Sequence, residues 1–166
     1  MIAEEPYGTI TPEDSGHATI RFERRLPARI ERVWAALTDP TELATWLAAS
    51  SVDLRLGGAV EHIFDPDDAS EQVRGTILEI EPMTRLEYEW HFPGEPESIL
   101  GYDLAADGDE TILTLTHRML GLGQVSGYGA GWHTYLDALE AILSGREPAD
   151  WDARFAAVRA AYVTAR

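Results

Sequence analysis

GYGAGWHTYLDALEAIL, residues 127–143, decides the fold. Three glycines in five positions ought to break a helix, yet the residues that follow repeat with strong helical periodicity. With a start near Val125, the residues Val125, Tyr128, Trp132, Tyr135, Leu136, Leu139, Ile142 and Leu143 form one apolar stripe at about 100° per residue. Ser126, His133, Asp137, Glu140 and Ser144 fall opposite. Between them runs a third stripe of small residues: Gly127, Gly131, Thr134, Ala138 and Ala141. Such a stripe either lets another backbone approach closely or leaves a void along the helix. The helix alone does not choose between the two.

Upstream, the texture is different. ATIRFERRL (18–26) alternates, with Ile20, Phe22 and Leu26 on one side and Arg21, Glu23 and Arg25 on the other. Two short helices follow, over 28–39 and 41–47, separated at Asp39-Pro40. Then come about six short strands: 51–56, 59–64, 73–80, 85–92, 99–106 and 111–119. Gly57-Gly58 and Asp107-Gly108 mark hairpins, and Glu81-Pro82 marks a turn. Helices segregated from strands predict an α+β fold with an antiparallel sheet, not parallel βαβ units. Residues 1–16 lack periodicity and read as a loose arm, 17–145 as one domain, and 146–166 as a helical extension carrying Trp151, Phe155, Val158 and Tyr162 at helical spacing.

The alternation of the strands says what a void beside the helix would face. Leu86, Tyr88 and Trp90 share one side of their strand, opposite Glu87, Glu89 and His91. Val60, His62 and Phe64 share a side, as do Leu100, Tyr102 and Leu104, and Leu113, Leu115 and His117. Aromatic rings with polar tips suit a ligand cavity, giving area from the body and orientation from the tip. The same residues could equally fill a core, with each polar atom satisfied by backbone.

Composition excludes several function classes. The chain has 166 residues, 45% of them apolar, enough for one domain with a real core. Its formal net charge is −16, and its basic residues are all arginine. That field repels nucleic acid and anionic membranes. There is no cysteine, so disulfides and thiolate chemistry are absent. No run is long enough for a membrane span, and the acidic N-terminus does not read as a signal peptide, so a cytoplasmic location is expected. GLGQVSG (121–127) invites a dinucleotide reading, but Ser126 breaks the spacing and no parallel strand follows. The histidines lack metal-site spacing. The sequence thus predicts neither cofactor nor metal.

RIERVWAALTDPTELATWL (29–47), LRLGGAVEHIF (54–64), RGTILEIEPMTRLEYEW (74–90), TILTLTHRML (111–120) and GWHTYLDALEAIL (131–143) together resemble the activator-of-Hsp90-ATPase-like domains of the START-like superfamily, also called the polyketide cyclase/dehydrase superfamily. The resemblance implies a helix-grip fold: a curved antiparallel sheet around a long C-terminal helix, a cavity between them, and two short helices as part of the roof. It implies no catalytic residues, because fold does not fix activity. On that basis Trp46, His62, Tyr88, Trp90, Tyr102, His117 and Trp132 are the expected ligand-binding residues, for a small hydrophobic or aromatic ligand. Two rivals use the same chain. One is a cyclase- or hydratase-type enzyme with His117 or His62 as acid/base and Tyr102 as donor. The other is a protein-interaction module of the Hsp90-activator kind. The tail helix leaves room for a homodimer.

Overall fold

The computed structural model describes residues 5–13 and 16–164. In chain order the elements are strands β1 (Thr9–Pro12) and β2 (His17–Leu26), helices α1 (Ile30–Thr38) and α2 (Pro40–Trp46), and strands β3 (Ala49–Val52), β4 (Ala59–Ile63), β5 (Gln72–Glu81), β6 (Arg85–Trp90), β7 (Ser98–Asp107) and β8 (Glu110–Gly121). Helices α3 (Val125–Leu143) and α4 (Trp151–Thr164) end the chain. The strands form one antiparallel sheet in the order β1-β2-β8-β7-β6-β5-β4-β3, curved in the helix-grip manner. The single long connection is α1–α2, which carries the chain from β2 to the far edge at β3.

The inner face of the sheet follows from period-two alternation. Ile20, Phe22, Leu86, Tyr88, Trp90, Leu100, Tyr102, Leu113, Leu115 and His117 are all buried, and their neighbours along each strand turn outward to carry ion pairs such as Arg85 with Glu87 and Asp103. Near the end of β8 the alternation slips. Arg118 and Met119 are both exposed, Met119 has a φ of 64°, and the register to β2 shifts there. This bulge returns Leu120 to the core.

Several boundaries differ from expectation. Thr9–Pro12, within the segment read as a loose arm, pairs with β2. Four residues ending in proline are too short for alternation to register, and their order comes from the exposed edge they cover. The strand read over 51–56 occupies Ala49–Val52, and Leu54 and Leu56 are exposed in the loop before Gly58. Gly75 is fixed by crowding: a Cβ there would lie 1.7 Å from the carbonyl oxygen of Glu89, where β5 turns from its pairing with β4 to its pairing with β6.

The roof helices are stitched locally. Asp39 caps α2 by accepting from the Thr41 N–H at 2.9 Å, with Pro40 at the first helical position. Trp46 donates its indole N–H to the Ala36 carbonyl at 2.8 Å, locking α2 onto α1. No helix among the described residues is long and apolar enough to cross a membrane.

Candidate functional site

A cavity of about 640 Å³ opens beside the N-terminal half of α3. The sheet side gives Phe64 and Trp90, and α4 gives Trp151, Phe155 and Arg159. The α3 side gives Gly127, Tyr128, Gly131, Trp132 and Tyr135. The three glycines of α3 therefore split by position. A Cβ at Gly127 or Gly131 would meet nothing within 4 Å, because both face open space. Gly129 lies on another face, where a Cβ would stand 2.5 Å from the ring of Tyr162. Two of the three glycines widen the cavity, and the third seats α4 against α3.

The two indoles in the cavity wall are held from behind. Trp132 donates Nε1–H to His117 Nδ1 at 2.9 Å. His117 Nδ1 is then the acceptor, so Nε2 carries the proton and donates to Ser98 Oγ at 2.8 Å. The Ser98 hydroxyl in turn donates to the Trp90 carbonyl at 3.2 Å. His117 is fully buried, and desolvation pushes its pKa down to about 3, so it is neutral. Trp90 donates Nε1–H to the Tyr128 hydroxyl at 2.9 Å, and that hydroxyl donates to Glu95 at 2.5 Å. Burial and the Glu95 carboxylate both raise the Tyr128 pKa, keeping the phenol protonated.

A second chain runs deeper. Ser50 Oγ donates to the Ala48 carbonyl at 2.8 Å and accepts from His62 Nδ1 at 2.7 Å. His62 Nε2 is left to accept from the Tyr88 hydroxyl at 2.8 Å. Burial pushes His62 down to about 4. Tyr102 lies alongside, its ring 6.5 Å from that of Tyr88 and its hydroxyl buried beside the Tyr88 hydroxyl.

Of the seven residues expected to bind ligand, Trp90 and Trp132 line this cavity. Trp46, His62, Tyr88, Tyr102 and His117 do not: they stand in the core behind it. Both ring nitrogens of His62 and of His117 are engaged within the protein, and neither imidazole reaches the cavity. Residues that sequence reasoning left out of the site are Tyr128, Glu95, Phe64 and the α4 pair Trp151 and Phe155. Phe64 shares the face of His62 one step further along its strand. The α4 residues had a visible periodicity but no visible partner.

His133, placed opposite the apolar stripe by helical geometry, is fully buried. The N-terminal segment and α4 cover that side of α3. Tyr162 accepts from the Gly8 N–H at 2.7 Å and donates to His133 Nδ1 at 2.7 Å, and His133 Nε2 donates to Glu5 at 2.7 Å. Arg154 bonds both Glu5 and Asp137, and Arg24 pairs with the other Asp137 oxygen at 2.9 Å. Glu5, His133 and Asp137 bring potential metal-ligating atoms within 4.8 Å of one another. Two guanidinium groups already neutralise those carboxylates, and the imidazole is engaged on both sides. The group has the chemistry of a closed salt-bridge cluster that ties the N-terminal segment, α3 and α4 together.

No match is found among curated proteins. Among solved structures, the chain is similar to CalU16 from Micromonospora echinospora, at 27% identity over 99% of this chain and 98% of that one, with a TM-score of 0.79. It is similar to the protein encoded by gene BPP1335 from Bordetella parapertussis, at 29% identity over 98% and 92%, with a TM-score of 0.71. DynU16, a protein in the dynemicin biosynthetic locus, matches at 27% identity over 82% of this chain but only 49% of its own, with a TM-score of 0.68. The family model for Activator of Hsp90 ATPase homolog 1-like protein matches residues 27–144, spanning β3–β8, α1, α2 and all of α3. With its helix-grip sheet and its glycine-opened α3, the chain belongs to the Activator of Hsp90 ATPase homolog 1-like family of the START-like superfamily.

Proposed function

We propose that this protein binds a small, largely apolar ligand in the cavity between α3, the sheet and α4. The observation that carries the reading is the cavity itself: about 640 Å³, walled by aromatic rings and widened by Gly127 and Gly131. That volume lies within the range of small-molecule sites, and the few polar groups among the rings fit the usual pattern of orientation by a minority of contacts. The place of DynU16 in a biosynthetic locus is in keeping with a small-molecule ligand for this fold.

A cyclase- or hydratase-type activity would need an acid or base facing the cavity. His62 and His117, the expected acid/base residues, are turned away from it; the ionisable acids in the lining are Glu95, which accepts from the Tyr128 hydroxyl, and Glu71 at the rim. A protein-interaction role would use the outer surface, where no feature of the site argues for it. The test is titration with N-phenyl-1-naphthylamine, a neutral fluorophore. Wild type is expected to show saturable one-to-one binding, and Gly131→Leu, which fills the open space beside α3, is expected to abolish it. Equal binding by both proteins would refute the reading.

A further inference from the structure

In the cavity wall, the polar atoms of Trp90, Tyr128 and Trp132 are already spent within the protein, and the half-buried formal charge is a carboxylate. The Trp132 N–H is spent on His117, the Trp90 N–H on Tyr128, and the Tyr128 O–H on Glu95. Trp90, Tyr128 and Trp132 therefore offer only ring faces to a ligand. Besides Arg159, the remaining polar groups of the lining are Gln124, Ser126, Tyr135, the Trp151 Nε1–H, which is buried with no hydrogen-bond partner among the described residues, and two carboxylates: Glu95, half-buried at the end of the relay, and Glu71 at the exposed rim. Elsewhere carboxylates beside the core are paired, as Glu87 is with Arg85 and Arg118, and Asp137 with Arg24 and Arg154. No ion pair is found for Glu71 or Glu95 among the described residues. The one cationic side chain in the lining, Arg159, is exposed on α4, with its guanidinium 5.9 Å from the Phe155 ring centroid.

Ring faces and an unpaired carboxylate select for the same thing. Aromatic faces carry negative electrostatic potential and attract cations, and a carboxylate in a half-buried site attracts an ammonium more strongly than it would in water. The net charge of −16 draws cations toward the site and repels anions. Resting on the cavity reading above, we infer that the ligand is a ring-bearing amine bound as its ammonium ion. The nitrogen sits at Glu95 and the apolar body lies over Trp90 and Trp132.

The experiment uses three matched probes: 2-naphthylmethylamine, 2-naphthylmethanol and 2-naphthoate. Each is titrated at pH 7 and physiological salt into wild type, Glu95→Gln, Glu97→Gln and Gly131→Leu. The amide introduced by Glu95→Gln keeps an oxygen to accept from Tyr128, so the relay survives and only the charge is lost. The amine is expected to bind wild type about tenfold more tightly than the alcohol, the scale of one charge-assisted hydrogen bond. Naphthoate is expected to be the weakest. Glu95→Gln should remove the amine's advantage and leave the alcohol unchanged. Glu97→Gln changes an exposed carboxylate outside the lining and should change neither. Equal binding of amine and alcohol, or an equal effect of the two Glu→Gln changes, overturns the inference. If the alcohol binds wild type but not Gly131→Leu, the cavity reading survives that failure. If no probe binds, both fall together.

Discussion

Gly129 and Gly131 are two residues apart on one helix, and the same substitution at each is predicted to have opposite effects. Alanine is favoured over glycine inside a helix by about 1 kcal/mol. At Gly131 the new methyl group meets nothing within 4 Å, so Gly131→Ala should keep that gain. At Gly129 the methyl would lie 2.5–3.1 Å from three ring atoms of Tyr162, too close to remain. That ring is anchored: its hydroxyl bonds both the Gly8 N–H and His133. Overpacking of this kind costs about 1–3 kcal/mol, and each displaced hydrogen bond about 1 kcal/mol more. Set against the helical gain, Gly129→Ala should destabilise by about 2 kcal/mol. For a chain of this length about 1 kcal/mol moves Tm by about 2–4 °C. Gly131→Ala should therefore raise Tm by about 2–4 °C and Gly129→Ala lower it by about 4–8 °C. Urea denaturation of the two variants beside wild type measures both signs. A destabilised Gly131→Ala, or a stabilised Gly129→Ala, would refute the assignment of these glycines to cavity and helix contact.

Acid should weaken the fold through its buried imidazoles. His62 and His117 have folded pKa values pushed down to about 4 and about 3, against an ordinary value of 6.5. Between those limits the unfolded chain binds protons that the folded protein refuses, so their contribution is complete above about pH 6.5 and is lost as pH falls toward 4. Urea midpoints measured from pH 7.5 to 4.5 should decline, and the two imidazole NMR signals should not titrate between pH 8 and 5. Trp132→Phe keeps the ring area but leaves His117 Nδ1 without its donor. It should cost about 1–3 kcal/mol in the same urea assay, the penalty of an unsatisfied buried acceptor.

Much of this architecture is legible in the sequence, for physical reasons that differ by element. The inner face of β6, β7 and β8 follows from alternation because both faces of a strand are set by a period of two, whatever lies across the sheet. A small-residue side of α3 is legible from Gly127 and Gly131, but that it opens onto a void and not a close backbone contact is not, because the helix alone allows either. The location of the cavity along α3 is not, because it depends on where α4 lands. Trp151 and Phe155 repeat at helical spacing, yet nothing local says that Trp151 packs on Tyr135 or that both line the cavity. Five expected wall residues stand behind the cavity for a related reason. For the four on strands, alternation tells which face is inward but not how deep a residue lies, so His62 and Trp90 look alike in sequence, and for Trp46 helical spacing on α2 is equally silent about depth. The burial of His133 was hidden by distance: its partner Glu5 is 128 positions away in sequence. A polar stripe on a helix reads as solvent-facing until something that far away covers it.

The five tryptophans supply the most direct test of the cavity. Trp90, Trp132 and Trp151 line it, whereas Trp34 and Trp46 are buried residues of the roof helices α1 and α2 outside its lining. The measurement is the set of indole N–H signals in a ¹H–¹⁵N correlation spectrum, assigned by single Trp→Phe changes, during titration with N-phenyl-1-naphthylamine. The signals of Trp90, Trp132 and Trp151 are predicted to shift together and saturate, while those of Trp34 and Trp46 stay in place. Movement of Trp46 with the cavity indoles left unmoved, or five unmoved signals at excess probe, would contradict a ligand site between α3, the sheet and α4.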